Sequence, residues 1–563
     1  MKRLVTRASI GGAAGVLASI LLLPEVQHPI AGLVVGVLMG MAFALSARPT
    51  RGAYVDSLMQ GGALGVPLWA VVTVVALPLL NGEMPQWSAE QMRQQFPALV
   101  GWVLYGSALG VLTQLFSDMA ERVWGPETPA PIAQPATTAR IVILGGGFAG
   151  MKTAECLEQE LSKNPTVSIS VVSETNALLF TPMLAEVAGG SLEPSHISTP
   201  LRTSLHRTEF IRGRVASVDV NKRCVLLDPS PGEVGSREIA YDHLVLALGS
   251  VSNYLGLTNI QQRAFDFKSL LDAIRIRNHV IEMFERADRE RDVAVRKSLL
   301  TFVIAGGGFA GVELAGALND FARGILADYP NLSNGDVRVV LVHARDRILP
   351  ELSASLANYA QEKMTVRGVE FRLNTRLNDA QPGRVTLSDG AIPAETLVWT
   401  AGTAPNPLVK SLGLETDKRG AVIVDRMLAV PGHAGIWALG DCAAVVDAKN
   451  GQPCPPTAQF ALREAAALAH NIRCAIDGHA PRGFHFDSLG ALCVVGYQTA
   501  CAELSVPFAR SKSMRFSGLL AWLMWRAIYL GKLPGLERKV RVLVDWTVEL
   551  FFPKDIVQTI DLQ

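Results

Sequence analysis

Four runs near the start of the chain carry no charged residue: Ala8 to Leu23, Pro29 to Leu45, Gly61 to Leu80 and Pro97 to Phe116. Each approaches the roughly 17 to 25 residues with which a helix crosses hydrocarbon, so the pattern predicts an all-α, four-helix transmembrane region over residues 1–124. Residues 125–139, GPETPAPIAQPATTA, follow as a proline-rich linker that cannot continue a helix. The pattern then changes. Arg140 to Leu144 (RIVIL) and Leu299 to Ala305 (LLTFVIA) are buried-strand runs, and each leads into the same six residues, GGGFAG. Helical stretches follow both, MKTAECLEQEL and VELAGALNDF, which gives strand, glycine turn and helix twice over.

Charge orients the membrane region. Lys2, Arg3 and Arg7 precede the first run, and Arg48 and Arg51 separate the second from the third. The other connections carry Glu25, Glu83 and Glu90 with only Arg93. Positive loops stay on the cytoplasmic side, and an even number of spans returns the chain there. The expectation is a multi-pass protein of the inner (cytoplasmic) membrane whose remaining residues face the cytoplasm. A signal peptide is the rival for the first run, but a second span follows at once with no small-residue cleavage site between them. Gly32, Gly36 and Gly40, Gly11 with Gly15, and Gly106 with Gly110 recur at four-residue spacing. Such stripes let helix backbones approach, and packing is preferred here to a substrate pathway. No paired carboxylates or histidines within the runs suggest a proton relay or haem site.

Composition narrows the classes. A chain of 563 residues exceeds one ordinary core, and 49% hydrophobic residues with a mean hydropathy of +0.26 fit a membrane-bound protein. The net charge of +1 gives no basic face for nucleic acid. Seven cysteines without a C-x-x-C pair indicate free thiols in a reducing compartment, and ten histidines without ligand spacing indicate no metal centre.

The glycine turns carry the chemistry. Gly145, Gly147, Phe148, Ala149 and Gly150 form the first, with Gly306, Gly308 and Gly311 in the second. Their glycines permit a tight turn and close approach to a pyrophosphate, which the following helix N-terminus attracts. Two such units imply two dinucleotides, FAD at the first and NADH or NADPH at the second. Gly435 to Cys442, GIWALGDC, resembles the late motif of two-dinucleotide flavoproteins, in which the aspartate, here Asp441 after Gly440, meets the flavin ribityl chain. The expected fold class is therefore α/β, with two Rossmann-like domains, one inserted in the other. The FAD domain covers 140–265 and 399–484, and the NAD(P)H domain covers 266–398. Glu174, ending the strand Ile169 to Glu174, is the candidate for a ribose hydroxyl, although a bare strand-end acid would look the same. In the second unit the strand Val337 to Val342 ends at His343 with Arg345 nearby, so the expected acid is missing and NADPH stays open as donor.

From about Arg140 to its end the sequence resembles the type II NADH dehydrogenases, single-chain NADH:quinone oxidoreductases. Asn176 to Glu186, NALLFTPMLAE, which contains Thr181 and Pro182, is similar to the family's segment after the second strand. Trp399 to Gly402, WTAG, is similar to the segment re-entering the flavin domain. Pro455 to Leu468, PPTAQFALREAAAL, resembles the Ala-Gln motif beside the flavin ring and quinone entrance, which places that role on Ala458 and Gln459. Glu313 in GVELAG matches the family's glutamate near nicotinamide and flavin, where it positions the dinucleotide or relays a proton. A plain first-turn acid would sit as well there, stabilised by about 0.3 to 1 kcal/mol by the helix dipole.

Phe516 to Ile556 combines an apolar stretch too short to span with Trp522, Trp525 and Trp546 and the basic Arg526, Lys532, Arg538, Lys539 and Arg541. Residues 485–563 are thus expected to form an amphipathic region in the membrane interface, resembling the family's C-terminal anchor; burial within a homodimer is the alternative. The resemblance implies hydride transfer from nicotinamide to flavin, then reduction of a membrane quinone without proton pumping. It does not extend to the N-terminal spans, whose role is read as tethering or docking a partner. Disulfide reductases share the architecture but need a close cysteine pair. Cys156 stands alone, and Cys442 and Cys454 are twelve positions apart, which also weakens a sulfide:quinone reading. A membrane-tethered flavin redox sensor is the remaining alternative, to be separated by quinone-dependent turnover.

Overall fold

The computed structural model describes residues 2–22, 29–46, 54–80, 82, 96–124, 137–229, 236–505 and 513–558. The chain divides into two compact units, Met1–Ala133 and Gln134–Gln563. Most of the proline-rich tether and the charged connections between the N-terminal helices lie outside the described residues.

The first unit is helical: α1 (Lys2–Leu22), α2 (Pro29–Ser46), α3 (Tyr54–Leu68) and α4 (Phe96–Trp124). Beyond Pro67, which has no N–H to give the α ladder, α3 continues as a π-helical stretch, Trp69–Ala76, and a last turn, Leu77–Leu80. The third and fourth helices are longer than their uncharged runs. α3 begins at Tyr54 and includes Asp56, while α4 continues past Phe116 through Asp118. Among the described residues two helices, Tyr54–Val75 and Phe96–Ala120, are long and apolar enough to cross a membrane; the apolar stretches Ala8–Ile20 and Leu33–Leu45 are shorter.

Glycines bring these helices together in pairs. A Cβ on Gly15 would stand 2.0 Å from the Gly36 carbonyl oxygen, and one on Gly61 equally 2.0 Å from that of Gly106. Backbone contact of this kind maximises dispersion between the paired helices. Buried polar bonds add register: the Ser57 hydroxyl donates to Gln114 Oε1 at 2.9 Å, and Gln114 Nε2 donates to Asp118 at 2.8 Å. Gly106→Leu is expected to destabilise this unit by roughly 1 to 3 kcal/mol through overpacking. Gly101→Leu, on the same helix where a Cβ meets nothing within 4 Å, is expected to change little. Thermal unfolding of both variants in detergent checks the pair.

The second unit opens with β1 (Ala139–Leu144), β2 (Val167–Ser173), β3 (Glu209–Arg212) and β4 (His243–Leu246). The chain then builds a second sheet from β5 (Phe265–Asp266), β6 (Thr301–Ala305), β7 (Arg338–Val342), β8 (Val369–Arg372) and β9 (Thr396–Trp399). It returns as β10 (Ile436–Ala438), pairing with β4. The orders are β10-β4-β1-β2-β3 and β5-β9-β6-β7-β8, with every pairing parallel. Burial of all five residues of β6 fits a parallel sheet covered on both faces. A ribbon of Ser250–Ser252 against Thr403–Pro405 binds the outgoing chain to the returning one.

Near the end of the chain an antiparallel sheet follows: β11 (Gly490–Gly496), β12 (Thr499–Ser505) and β13 (Ser513–Ser517). Two helices close the chain, Gly518–Lys532 and Leu536–Phe551. Here the structure corrects one expectation. Trp522, Trp525 and Trp546 are buried, and the Arg526 guanidinium, only 12% exposed, lies 3.9 Å from the Trp522 ring centroid and 4.5 Å from that of Trp546. These side chains face the protein, because Glu186 and Glu549 draw the cation inward. What stays exposed is the apolar set Leu519, Leu520, Leu523, Leu543, Val544, Val548, Leu550 and Phe551.

Candidate functional site

Both glycine turns sit at the C-terminal ends of β1 and β6, where an open parallel sheet places its ligands. Gly145 has φ +113° and Gly306 φ +118°, a region that side-chain-bearing residues rarely adopt. A Cβ on Gly150 would lie 1.9 Å from the Gly145 carbonyl oxygen, and one on Gly311 1.9 Å from that of Gly306. The turns then start α5 (Phe148–Glu160) and α6 (Phe309–Gly324) at Gly147 and Gly308, and no side chain caps either end. Their first-turn N–H groups are therefore free of side-chain acceptors, and at Gly147 a Cβ would meet nothing within 4 Å. This donor set fits a pyrophosphate at each turn.

The remaining candidates fall around these turns. Ala149 is buried at the start of α5, and the Phe148 ring lies 5.8 Å from that of Phe180. Glu174 follows β2 with its carboxylate 61% exposed and 3.3 Å from Arg214. Thr181 and Pro182 form a 3-10 turn entering the short helix Leu184–Ala188. The Gly402 carbonyl accepts from the Asn253 N–H at 3.0 Å, fixing the crossing between the two sheets. His343 turns its ring onto the second glycine turn, where Nδ1 accepts the Gly307 N–H at 3.0 Å. Burial holds its pKa down, which keeps that nitrogen available as an acceptor. Arg345 is exposed beside it.

Gly440, at φ +68°, donates its N–H to Glu464 at 2.8 Å, and burial raises the Glu464 carboxyl to about 7. Asp441 accepts from the Ser250 hydroxyl at 2.7 Å, and Ser250 in turn accepts from Lys268 Nζ at 2.6 Å. Ala458 and Gln459 begin the helix Ala458–Asp477. The Gln459 amide is held at both ends, donating to the Gly490 carbonyl at 3.2 Å and accepting the Leu489 N–H at 2.9 Å. It thus fastens this helix to the start of β11.

Glu313, in the second turn of α6, is half-buried and accepts the Val494 N–H at 3.1 Å. Burial pushes its carboxyl up to about 8, partly offset by the Val494 bond and the nearby Trp525 indole, which does not reach hydrogen-bond geometry. It lines a cavity of about 340 Å³ together with Pro182, Glu186, Asp320, Arg526 and Glu549. Sequence reasoning missed Glu186, Glu464, Lys268 and the inward Arg526, because charged residues carry no periodic mark of burial. All seven cysteines are free, and burial raises the Cys442 thiol to about 11 and the Cys454 thiol to about 12. Neither carries the lowered pKa of a reactive thiol.

Two family models match the chain, pyridine nucleotide-disulphide oxidoreductase over residues 139–465 and the NDH2 C-terminal domain over 489–555. A type II NADH:quinone oxidoreductase, Ndh, of Mycobacterium tuberculosis is 30% identical over 434 residues, 74% of this chain and 89% of its own. A probable NADH dehydrogenase of Dictyostelium discoideum is 32% identical over 428 residues, 74% and 90%. The solved structure of Plasmodium falciparum NDH2 in complex with NADH shares the fold, with a TM-score of 0.67, 16% identity, and coverage of 74% of this chain and 99% of that one. The two uncapped glycine turns, the return of the chain through β10 and these likenesses converge: the chain belongs to the type II NADH:quinone oxidoreductase family.

Proposed function

We propose that this protein is an FAD-dependent, non-electrogenic oxidoreductase that takes electrons from NADH and passes them to a membrane quinone. The observation that carries the reading is the pair of uncapped glycine-turn helices in one unit, with Glu313 and Gln459 both bonded to β11. FAD would lie on the turn Gly145 to Gly150 within the domain 140–265 and 399–484. Glu174 would hold its ribose, Thr181, Pro182, Gly402, Ala458 and Gln459 would surround its ring, and Asp441 would meet its ribityl chain. The dinucleotide would lie on Gly306, Gly308 and Gly311 in the inserted domain 266–398. Bound there, the flavin supplies two-electron chemistry, accepting hydride and returning electrons to quinone. The protein orients both partners and excludes water, and Glu313 holds a proton beside them.

NADPH remains the alternative donor, since His343 and Arg345 stand where an acid would select NADH. Oxidation of NADH and NADPH by the detergent-purified protein, with and without a soluble quinone, tests the reading. Quinone-dependent turnover supports it, whereas bound flavin that passes electrons to no quinone favours the redox-sensor alternative.

In the same reading the N-terminal helices form the four-span region of an inner-membrane protein with its catalytic unit in the cytoplasm. The exposed apolar residues of the last two helices would rest in the bilayer interface. Removal of residues 1–125 is expected to release the protein from carbonate-washed membranes while leaving quinone turnover with soluble analogues intact. Unchanged membrane attachment would contradict the tethering role.

A further inference from the structure

The cavity beside Glu313 is not empty of chemistry. Its wall carries the carboxyls of Glu186, Glu313, Asp320 and Glu549 and the cations Arg323, Arg526 and Lys554. Most of these charges are compensated. Glu549 is 2.7 Å from Lys554 and 3.0 Å from Arg526, and Asp320 pairs with Arg367 at 3.6 Å and accepts the Tyr497 N–H at 2.6 Å. Two carboxyls are left short. Glu186 meets Arg526 only at 3.9 Å, sharing it with Glu549, and Glu313 forms no ion pair among the described residues.

We propose that this cavity is the proton entry of the enzyme, with Glu186 passing a proton from solvent toward Glu313. The proposal rests on the reading above, whose arithmetic requires such a route. Nicotinamide hydride brings two electrons and one hydrogen nucleus, and reducing a quinone to a quinol consumes two electrons and two protons. The balance NADH + H⁺ + quinone → NAD⁺ + quinol draws one proton from solvent in each turnover.

The geometry supplies the path. The cavity wall carries the exposed Tyr497 and Phe552 as well as the half-buried Glu313, so one cavity joins solvent to that carboxyl. On the same wall Glu186 Oε2 accepts the Trp546 indole N–H at 3.0 Å, which fixes its carboxyl. Arg526 Nε and Trp525 Nε1, both buried, have no protein partner. Unpartnered buried polar atoms on the wall of a cavity this size are the places where ordered water binds. The two under-compensated carboxyls also titrate in the useful range. Burial raises Glu186 to about 7 and Glu313 to about 8; Arg526 lowers Glu186, while Glu549 raises it and Lys554 lowers it. Around Glu313, the buried Cys493 thiol and Tyr529 phenol are pushed above their ordinary values and stay neutral.

Two measurements on the full-length enzyme test this. The first follows tryptophan fluorescence against pH without substrates, since Trp546 donates to Glu186. Wild type is expected to show a transition near pH 7 that is absent in Glu186→Gln. The second follows quinone reduction against pH. Glu186→Gln is expected to slow it roughly 10-fold, below the ~100-fold of a group at the reacting atoms because cavity water partly bypasses the relay. Glu186→Asp, which keeps a carboxyl, is expected to recover part of the rate and a shifted transition, which a purely structural residue would not do. Turnover in Glu186→Gln equal to wild type, or a transition that persists in it, overturns the proposal. Absence of quinone turnover in wild type overturns the proposed function itself, and the proton entry with it, even where the fluorescence transition is present.

Discussion

Gly311→Val is expected to give a protein that retains its flavin spectrum but oxidises neither NADH nor NADPH. A Cβ at this position would stand 1.9 Å from the Gly306 carbonyl oxygen and 2.6 Å from Thr400 Oγ1, so the turn must open and the helix N-terminus must move from its place. Nothing comparable happens at the first turn, whose glycines lie on a separate sheet. The mirror variant, Gly150→Val, collides with the Gly145 carbonyl oxygen and is expected to yield colourless protein. A loss of more than about 100-fold in kcat/KM for the first variant corresponds to about 2.7 kcal/mol of lost transition-state binding. Flavin absorbance and steady-state donor oxidation, measured on both variants, separate the two turns. Loss of flavin from Gly311→Val would show that the assignment of turns to dinucleotides is reversed.

Glu313→Gln is expected to cut quinone-dependent turnover by roughly 100-fold, the lower end of what a positioned proton-transfer group contributes. The amide can still face the Val494 N–H with its carbonyl oxygen, so the fold is retained. Stability gives a second, independent signature. The carboxyl is raised from 4.5 to about 8 on folding, so the native state binds this proton more tightly than the unfolded chain. Its contribution to stability is therefore fully present below about pH 4.5 and is lost as pH rises through about 8. Between about pH 6 and about pH 9 the melting temperature of Glu313→Gln should fall less than that of wild type. A variant that melts in parallel with wild type across this range would show that Glu313 is ionised in the native protein.

What was legible in the sequence depended on whether physics left a repeating mark. The two dinucleotide turns were readable because β6 and, apart from Arg140, β1 are buried on both faces and lead into glycines that backbone crowding makes obligatory at Gly150 and Gly311. The glycine stripes of the N-terminal helices were readable as packing for the same reason, and Gly15 against Gly36 and Gly61 against Gly106 show it. Helix ends were less so, since α3 takes in Asp56 and α4 takes in Asp118, which a search for uncharged runs stops short of. The charged cavity was not legible. Glu186, Asp320, Arg526 and Glu549 come from four separate helices, and each looks like an ordinary polar position until tertiary packing turns it inward. Arg526 shows the difference: at the edge of an apolar, tryptophan-rich stretch it resembled an interfacial cation, yet two largely covered carboxylates and two indole faces hold it inside. The Lys268–Ser250–Asp441 chain is similar, since its members are far apart in sequence and meet at the ribbon that joins the two sheets.

The central claim is that one chain carries electrons from a nicotinamide dinucleotide to a quinone, and anaerobic rapid mixing tests it most directly. The purified, oxidised protein is mixed with NADH while its flavin absorbance is followed, and the product is then mixed with a soluble quinone. The account predicts bleaching at a rate that saturates with NADH, then full recovery of the absorbance on adding quinone, at a rate no slower than steady-state turnover. A flavin that NADH does not bleach, or one that stays bleached in the presence of quinone, would contradict it.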